Sequence, residues 1–548
     1  MTEADVVDIA RRIHTRDVSL WAAAPEAQSI VGKRLGWLDA PDWLNENREE
    51  LTTWARDIRG QGFARVVVLG MGGSSLAARA LAGVFGKTEQ GLPLVVLDTT
   101  HPAAVTAAAA CLPETLFVSA SKSGTTAEVT ALTAYFYQQV KAERGRAAGE
   151  NFVAITDAGS ALQRYAEAHD FRRCFLNPAD VGGRFSVLTA FGMVPAALLG
   201  LDLDRMFNSA RTARAASGAD TPDADPSALR LGQAMARSAL AGRNKLTLLL
   251  SPQLGAFSVW VEQLVAESIG KSGIGIIPVI DESLPIGAYG MDRFFVAVTL
   301  TGDHTLDETL QALEAAGHEI DHHQLDDRYD LAGEFFRWEF AVAVAGALLA
   351  VNPFDEPDVV SSKQTTRRLL EGKKEEQANS IGEIRDDAGL TLRMPISLVD
   401  EDAGLSGQLL RFFQNAGPTN YLTLMPFLYM TDDVQNALSE LITALRAVLP
   451  LPVILNPGPR YLHSTGQLHK GGPNSGLYLI ITASTDTMLA IPGEPYSFSD
   501  LNNAQASGDF LSLVALDRQV AHLDLGSSPQ QALAAVTAEV QLRWTESA

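Results

Sequence analysis

The sequence predicts an α/β protein built on open parallel sheets, and two observations lead there. Strand-like apolar runs alternate with helix-length segments through long stretches of the chain, and two early strand ends open into small, hydroxyl-rich loops ahead of helices. Such alternation implies right-handed crossovers and parallel strands. In open parallel sheets ligands gather at the carboxyl ends of the strands, where a helix N-terminus favours an anion.

Taken in order, residues 1–60 read as amphipathic helices, with Trp21, Trp37, Trp43 and Trp54 along them as packing residues. Strand Arg65–Leu69 runs into Gly70-Met-Gly-Gly-Ser-Ser75 and a helix, and strand Leu94–Asp98 follows. Strand Thr115–Ser119 runs into Ser121-Lys-Ser-Gly-Thr-Thr126 and another helix, and strand Asn151–Thr156 precedes a helix near Ser160–His169. A helical stretch, Ser186–Leu199, and a polar linker, Ala215–Pro226, close this first α/β unit.

A second unit begins with helix Ser227–Gly242, strand Lys245–Leu250 and helix Gly255–Ile269. Strands Ile276–Ile280 and Arg293–Thr299 and helices Thr305–Gly317 and Leu331–Val351 follow, with Asp321-His-His323 read as a polar loop. The proline-bracketed turn Asn352–Pro357 launches a helix through about Glu371. Residues 372–390 are charged and poorly periodic, which suggests a loop or linker. Beyond them lie expected strands at Tyr421–Leu428, Pro452–Leu455, Leu477–Thr482 and Phe510–Leu516, and helices at Ser406–Ala416, Asp433–Val448 and Pro529–Arg543. The expected organisation is therefore a helical segment (1–60), two α/β lobes (61–225 and 226–371) and a C-terminal α/β segment (372–548). A loose likeness between the first two units suggests duplication.

With 548 residues the chain exceeds one core, and its 46% hydrophobic content is ordinary for a globular protein. A net charge of −22 argues against nucleic acid or an anionic membrane as partner, so an anionic substrate needs a local basic pocket. Cys111 and Cys174 are the only cysteines, too few for a disulfide framework or a cysteine metal cluster. The N-terminus lacks the pattern of a signal peptide, and the longest apolar run, Phe340–Val351, falls well short of a membrane span. A cytoplasmic location is expected.

The loop Gly70-Met-Gly-Gly-Ser-Ser75 misses the third glycine of a dinucleotide fingerprint, although Asp98 does end the next strand. Its packed glycines instead admit a ligand close to the backbone, with Ser74 free to donate, unless the loop is only a tight turn. Five hydroxyl residues crowd Ser119–Thr126 beside Lys122 and Gly124. Helix capping explains one or two of them, and a phosphate explains the set.

These loops resemble those of sugar-isomerase domains, and four further strings resemble motifs of the phosphoglucose isomerase family. They are Val181-Gly-Gly-Arg-Phe-Ser-Val187, Glu267-Ser-Ile-Gly-Lys271, Asn352-Pro-Phe-Asp-Glu-Pro357 with its continuation to Lys363, and His463-Ser-Thr-Gly-Gln467. The C-terminal half resembles the isomerase portion of transaldolase–glucose-6-phosphate isomerase fusions. The resemblance implies two sugar-isomerase-type three-layer αβα lobes with parallel sheets, plus the C-terminal α/β extension. It also implies interconversion of glucose 6-phosphate and fructose 6-phosphate, with no metal or organic cofactor, and a homo-oligomer, for instance a dimer.

Aldose–ketose interconversion moves a proton between C1 and C2 through an enediol, which one carboxylate can carry. Glu267 is the candidate base, and Arg184 the cation for the enediolate. Opening the cyclic sugar needs an acid and a base, for which the resemblance supplies His463 and Lys363, with His469 as the other histidine in play. Ser121, Lys122, Ser123, Thr125 and Thr126 would bind the phosphate, and Gly73, Ser74 and Glu356 the sugar; Glu356 stands where the family commonly has Gln. Taken singly, each residue has a plainer reading: a helix-end carboxylate for Glu267, a loop ion pair for Arg184, a solvated side chain for Lys363 and core or surface histidines for His463 and His469. The rival functions are a broader isomerase that also takes mannose 6-phosphate and a non-catalytic sugar-phosphate regulator, which would need no base.

Overall fold

The structure is a computed structural model that describes residues 3–218, 226–373, 380–400, 402–485 and 487–547. The predicted linker around 219–225 and part of the charged loop, at 374–379, lie outside the described residues. The chain falls into two compact units: Met1–Asp98 with Ala108–Ile286 and Met291–Glu356, and Thr99–Ala107 with Gly287–Gly290 and Pro357–Ala548.

The first unit holds two parallel sheets. One comprises β1 (Arg65–Gly70), β2 (Leu94–Leu97), β3 (Thr115–Ala120), β4 (Phe152–Asp157) and β5 (Arg173–Asn177), in the order β2-β1-β3-β4-β5. The other comprises β6 (Lys245–Leu250), β7 (Ile277–Val279), β8 (Arg293–Leu300) and β9 (Ile320–Leu325), in the order β7-β6-β8-β9. In both, the first strand is flanked by the second and third, so the likeness seen in sequence extends to strand order. All residues of β3 and β8 are buried. Alternate side chains point to opposite faces, so both faces of these strands are covered, as helices on each side of a parallel sheet require. One apolar cluster joins the two sheets with the N-terminal helices, and Trp37 within it packs on Phe185, Phe336 and Phe340.

In the second unit, β10 (Ile381–Arg385) and β11 (Thr391–Pro395) form an antiparallel hairpin beside a parallel set. That set is β12 (Tyr421–Pro426), β13 (Val453–Leu455), β14 (Gly476–Thr482) and β15 (Gln519–Asp524), and the full order is β10-β11-β15-β14-β12-β13. The parallel strands again place the first between the second and third.

Several elements depart from the expectations. The predicted strand Phe510–Leu516 lies largely in an 18-residue helix, Phe498–Ala515, opened by a capping box in which Ser497 and Asp500 satisfy each other's backbone N–H. A short, nearly continuous apolar run carries no periodicity that separates strand from helix, and here the cap decides. The loop expected at 372–390 contains β10, and Asp321-His-His323 sits in β9, an edge strand whose polar side chains remain partly exposed.

Candidate active site

Each loop read from sequence as a ligand loop follows a strand of the first sheet. The glycine turn Gly72–Ser74 follows β1, and Gly73 faces the Val-Gly-Gly-Arg segment so closely that a Cβ there would lie 2.2 Å from the Gly183 carbonyl carbon. The glycine is thus needed to seat the segment that carries Arg184. Ser74 is half-buried beside it.

After β3, the buried Ser121 shares a hydrogen bond with Thr126 (3.1 Å) and accepts one from the Gly124 N–H (3.1 Å), which closes the loop on itself. Ser123 and Thr125 are exposed and bond to each other at 3.0 Å. Gly124 has φ +69°, and a Cβ there would meet the Leu162 nitrogen at 2.3 Å, so only glycine suits the turn. Thr126 stands at the N-cap of helix Ala127–Arg144 without a side-chain cap, which leaves that helix end open to an anion. Lys122 is more committed than the sequence suggested: its Nζ contacts Asp157 Oδ2 at 2.5 Å and donates to the Ala179 carbonyl at 3.0 Å. The anion-binding capacity of this loop therefore rests chiefly on hydroxyls and backbone N–H groups.

Arg184 is buried at the centre of a convergent group. Its Nε donates to Ser268 Oγ (2.8 Å), Nη1 to Glu356 (3.1 Å), and Nη2 to the carbonyls of Pro353 (2.6 Å) and Asp355 (2.8 Å). Nη1 also lies 3.3 Å from Glu267 Oε1. The carbonyls are presented because Asn352 folds its own turn, accepting from the Phe354 N–H (3.0 Å) and donating to Asp355 (2.8 Å). Behind the turn, Phe354 and Phe185 pack together with Trp21 and Trp37. Trp21 and Trp37 are packing residues, as expected, and what they support is the floor of this site.

Glu267 comes from the last turn of helix Ser258–Ile269 and accepts from Gln263 at 3.0 Å. Burial raises its pKa, Arg184 opposes that, and the neighbouring charge of Glu356 raises it further. Burial also acts on Glu356, but there Arg184 prevails and holds the pKa below the ordinary carboxylate value. Two carboxylates on one guanidinium are thereby set apart, one poised to take a proton and one kept ionised. Lys271, the last residue of the Glu-Ser-Ile-Gly-Lys string and not among the residues expected at the site, contacts Asp355 at 2.8 Å, and burial brings its pKa down to about 8.

Lys363 and His463 belong to the second unit. Lys363 is exposed in the first turns of helix Val360–Leu370, and His463 is half-buried at the end of the turn Arg460–His463. His469 lies wholly inside, near the rings of Tyr461 and Tyr478, and burial lowers its pKa to about 3. It is a neutral core histidine. Among the described residues no cluster of His, Cys, Asp and Glu is arranged to hold a metal ion.

The chain is similar to known proteins over much of its length. The family model described as phosphoglucose isomerase matches residues 48–276. A glucose-6-phosphate isomerase of Symbiobacterium thermophilum is 31% identical over 391 residues, which cover 61% of this chain and 86% of that protein. The chain belongs to the phosphoglucose isomerase family. Another glucose-6-phosphate isomerase, from Clostridioides difficile, is 30% identical over 392 residues and 86% of its own length. Among solved structures, a hypothetical protein from Thermus thermophilus is matched with a TM-score of 0.57 at 25% identity, over 67% of this chain and 94% of that one. A glucose-6-phosphate isomerase from Chlamydia trachomatis shares the fold with a TM-score of 0.51 at 20% identity, over 68% of this chain and 79% of that one. The stretch matched to the phosphoglucose isomerase family contains Gly73, Ser74, the 121–126 loop, Arg184 and Glu267, whereas Glu356, Lys363 and His463 lie beyond it.

Proposed function

We propose that this protein interconverts glucose 6-phosphate and fructose 6-phosphate through an enediol, with Glu267 carrying the proton. The observation that carries the reading is the Arg184–Glu267 contact of 3.3 Å between a buried guanidinium and a carboxylate of raised pKa. A base of raised pKa takes a proton more readily than an ordinary surface carboxylate and still gives it back. In the proposed sequence, Glu267 removes the C2 proton of the open-chain aldose as electrons shift toward O1, a proton passes from O2 to O1, and the same carboxyl returns a proton to C1 as the C2 carbonyl forms. Arg184 stabilises the negative charge on the enediolate oxygens, and an electrostatic partner held in a dry site is worth more than one in water. Its exchangeable partner is Glu356, whose side chain is 41% exposed.

The phosphate is assigned to Ser121, Lys122, Ser123, Thr125 and Thr126, where the hydroxyls and the open end of helix Ala127–Arg144 supply donors. Ring opening is assigned to Lys363 and His463. The buried, neutral His469 suits that task poorly, because its proton would have to cross a packed core. Gly73, Ser74 and Glu356 are assigned to the sugar.

Turnover of fructose 6-phosphate by the native protein and by Glu267→Gln, with EDTA present, tests the reading. Loss of the general base should cost about 10²–10⁴-fold in kcat, with binding of the sugar phosphate retained. A native protein that binds the sugar phosphate without turnover would be a regulator. A fully active Glu267→Gln would remove Glu267 as the base.

A further inference from the structure

One carboxylate in the second unit has no part in the chemistry described so far, yet it gathers the segments that carry both ring-opening residues. Asp509, in the middle of helix Phe498–Ala515, is completely buried. It accepts a hydrogen bond from Tyr461 Oη at 2.7 Å and one from Ser362 Oγ at 2.9 Å, and pairs with Lys470 Nζ at 2.5 Å. Ser362 immediately precedes Lys363. Tyr461 and Lys470 bracket His463-Ser-Thr-Gly-Gln467, one on each side.

A second tie joins the same two segments. The Asp358 N–H donates to Gln467 Oε1 at 3.0 Å, and Gln467 Nε2 donates back to Asp358 Oδ2 at 2.5 Å. These two ties fix the spacing between residues 358–363 and the 461–470 segment. We propose that Asp509 is the positioning residue for ring opening, a buried carboxylate that fixes Lys363 and His463 in mutual register. This rests on the assignment of those two residues to that step.

Three contacts on one buried carboxylate exceed what packing needs. A buried ion pair is on average no more stabilising than apolar side chains of the same volume, so its stability alone does not account for it. What it supplies is direction: Oδ1 of Asp509 holds Ser362 from one segment and Lys470 from the other, and Oδ2 holds Tyr461, so a shift of either segment breaks a charge-assisted bond. Acid–base catalysis is sensitive to such shifts, since misplacement by about 1 Å can cost on the order of 10²-fold.

The test separates ring opening from the rest of the reaction in the full-length protein. Enzyme-catalysed interconversion of the α and β anomers of glucose 6-phosphate, followed by NMR exchange, reports ring opening alone. Inhibition by an open-chain aldonate phosphate reports a site that needs no ring opening. Asp509→Asn is expected to slow anomer exchange by about tenfold or more while the inhibition constant stays within about threefold. Ser362→Ala and Tyr461→Phe, which keep the ion pair and so the fold, should each slow exchange by about threefold or more, and they decide the matter if Asp509→Asn does not fold. Ser362→Thr, which keeps the hydroxyl, should restore the native rate of exchange.

Native anomer exchange in all the folded variants would overturn the positioning role while leaving Lys363 and His463 in place. A parallel loss of exchange and of inhibitor binding would also overturn it, because Asp509 would then only support the fold. If the native protein isomerises without accelerating anomer exchange, the ring-opening assignment itself falls, and the role of Asp509 falls with it.

Discussion

Glu267 and Glu356 meet on a single nitrogen: Arg184 Nη1 lies 3.3 Å from the first and 3.1 Å from the second. Three charges packed this closely carry a net −1, and the surplus bears on whichever carboxyl is the deeper. The position of Glu356, where the family commonly has Gln, therefore alters the base without touching it.

The first prediction concerns Glu356→Gln. Removing this charge takes away one of the influences that raise Glu267, leaving burial opposed by Arg184 and Lys271. The base works deprotonated, so activity is lost as pH falls through its pKa. In Glu356→Gln the acid limb of kcat/KM against pH should therefore move to lower pH. An acid limb that stays in place, or moves upward, would show that the two carboxylates are not electrically coupled in solution.

The second prediction concerns Gly73→Ala. A Cβ at this position would sit 2.2 Å from the Gly183 carbonyl and 2.7 Å from the Arg184 nitrogen, and all of these are backbone atoms. Backbone cannot yield as a flexible side chain can, so the Gly183–Arg184 segment must move. The overpacking should cost about 1–3 kcal/mol of stability, and the displaced guanidinium about 10–100-fold in kcat. Thermal melts beside steady-state kinetics measure both. A fully active, equally stable variant would show that the two loops are further apart than the structure has them.

The legible parts of the fold were those with a local cause. Interior strands such as Arg65–Gly70 and Lys245–Leu250 announce themselves as apolar runs between turn residues. Two edge strands do not: Arg173–Asn177 and Ile320–Leu325 end their sheets with mixed polarity, unlike the apolar edge strands Leu94–Leu97 and Ile277–Val279. The end of helix Phe498–Ala515 was read as a strand because its last two turns are almost wholly apolar, and the stripe that faces outward there is the apolar Val514. In the site, Arg184 and Glu267 were readable as motif residues, but the carbonyls of Pro353 and Asp355 that hold the guanidinium lie about 170 positions along the chain and have no side-chain signature. The tie between Lys122 and Asp157 escaped for the same reason, 35 residues apart and on different strand ends.

The last prediction uses two carboxylates of helix Leu331–Leu349 that titrate in opposite directions. Glu339 is fully buried, with no hydrogen-bond partner for either oxygen among the described residues, and burial pushes its pKa well above the ordinary carboxyl value. Across the window from that ordinary value upward, the folded chain keeps a proton that the unfolded chain has released. The stability it contributes is complete at low pH and is lost as pH rises toward the folded pKa. Glu334 is also buried, which alone would raise it, but Arg337 at 2.7 Å and His323 beside it hold its pKa down to about 2. Its contribution is present above the ordinary carboxyl pKa and is lost as pH falls toward 2. Glu339→Met should thus raise stability near neutral pH by about 1–3 kcal/mol and flatten its decline with rising pH. Glu334→Gln should do the reverse, lowering stability most near neutral pH and least in acid. Denaturant titrations of both variants at several pH values read the slopes directly, and a Glu339→Met protein less stable than the native one at every pH would mean that this carboxyl has a partner after all.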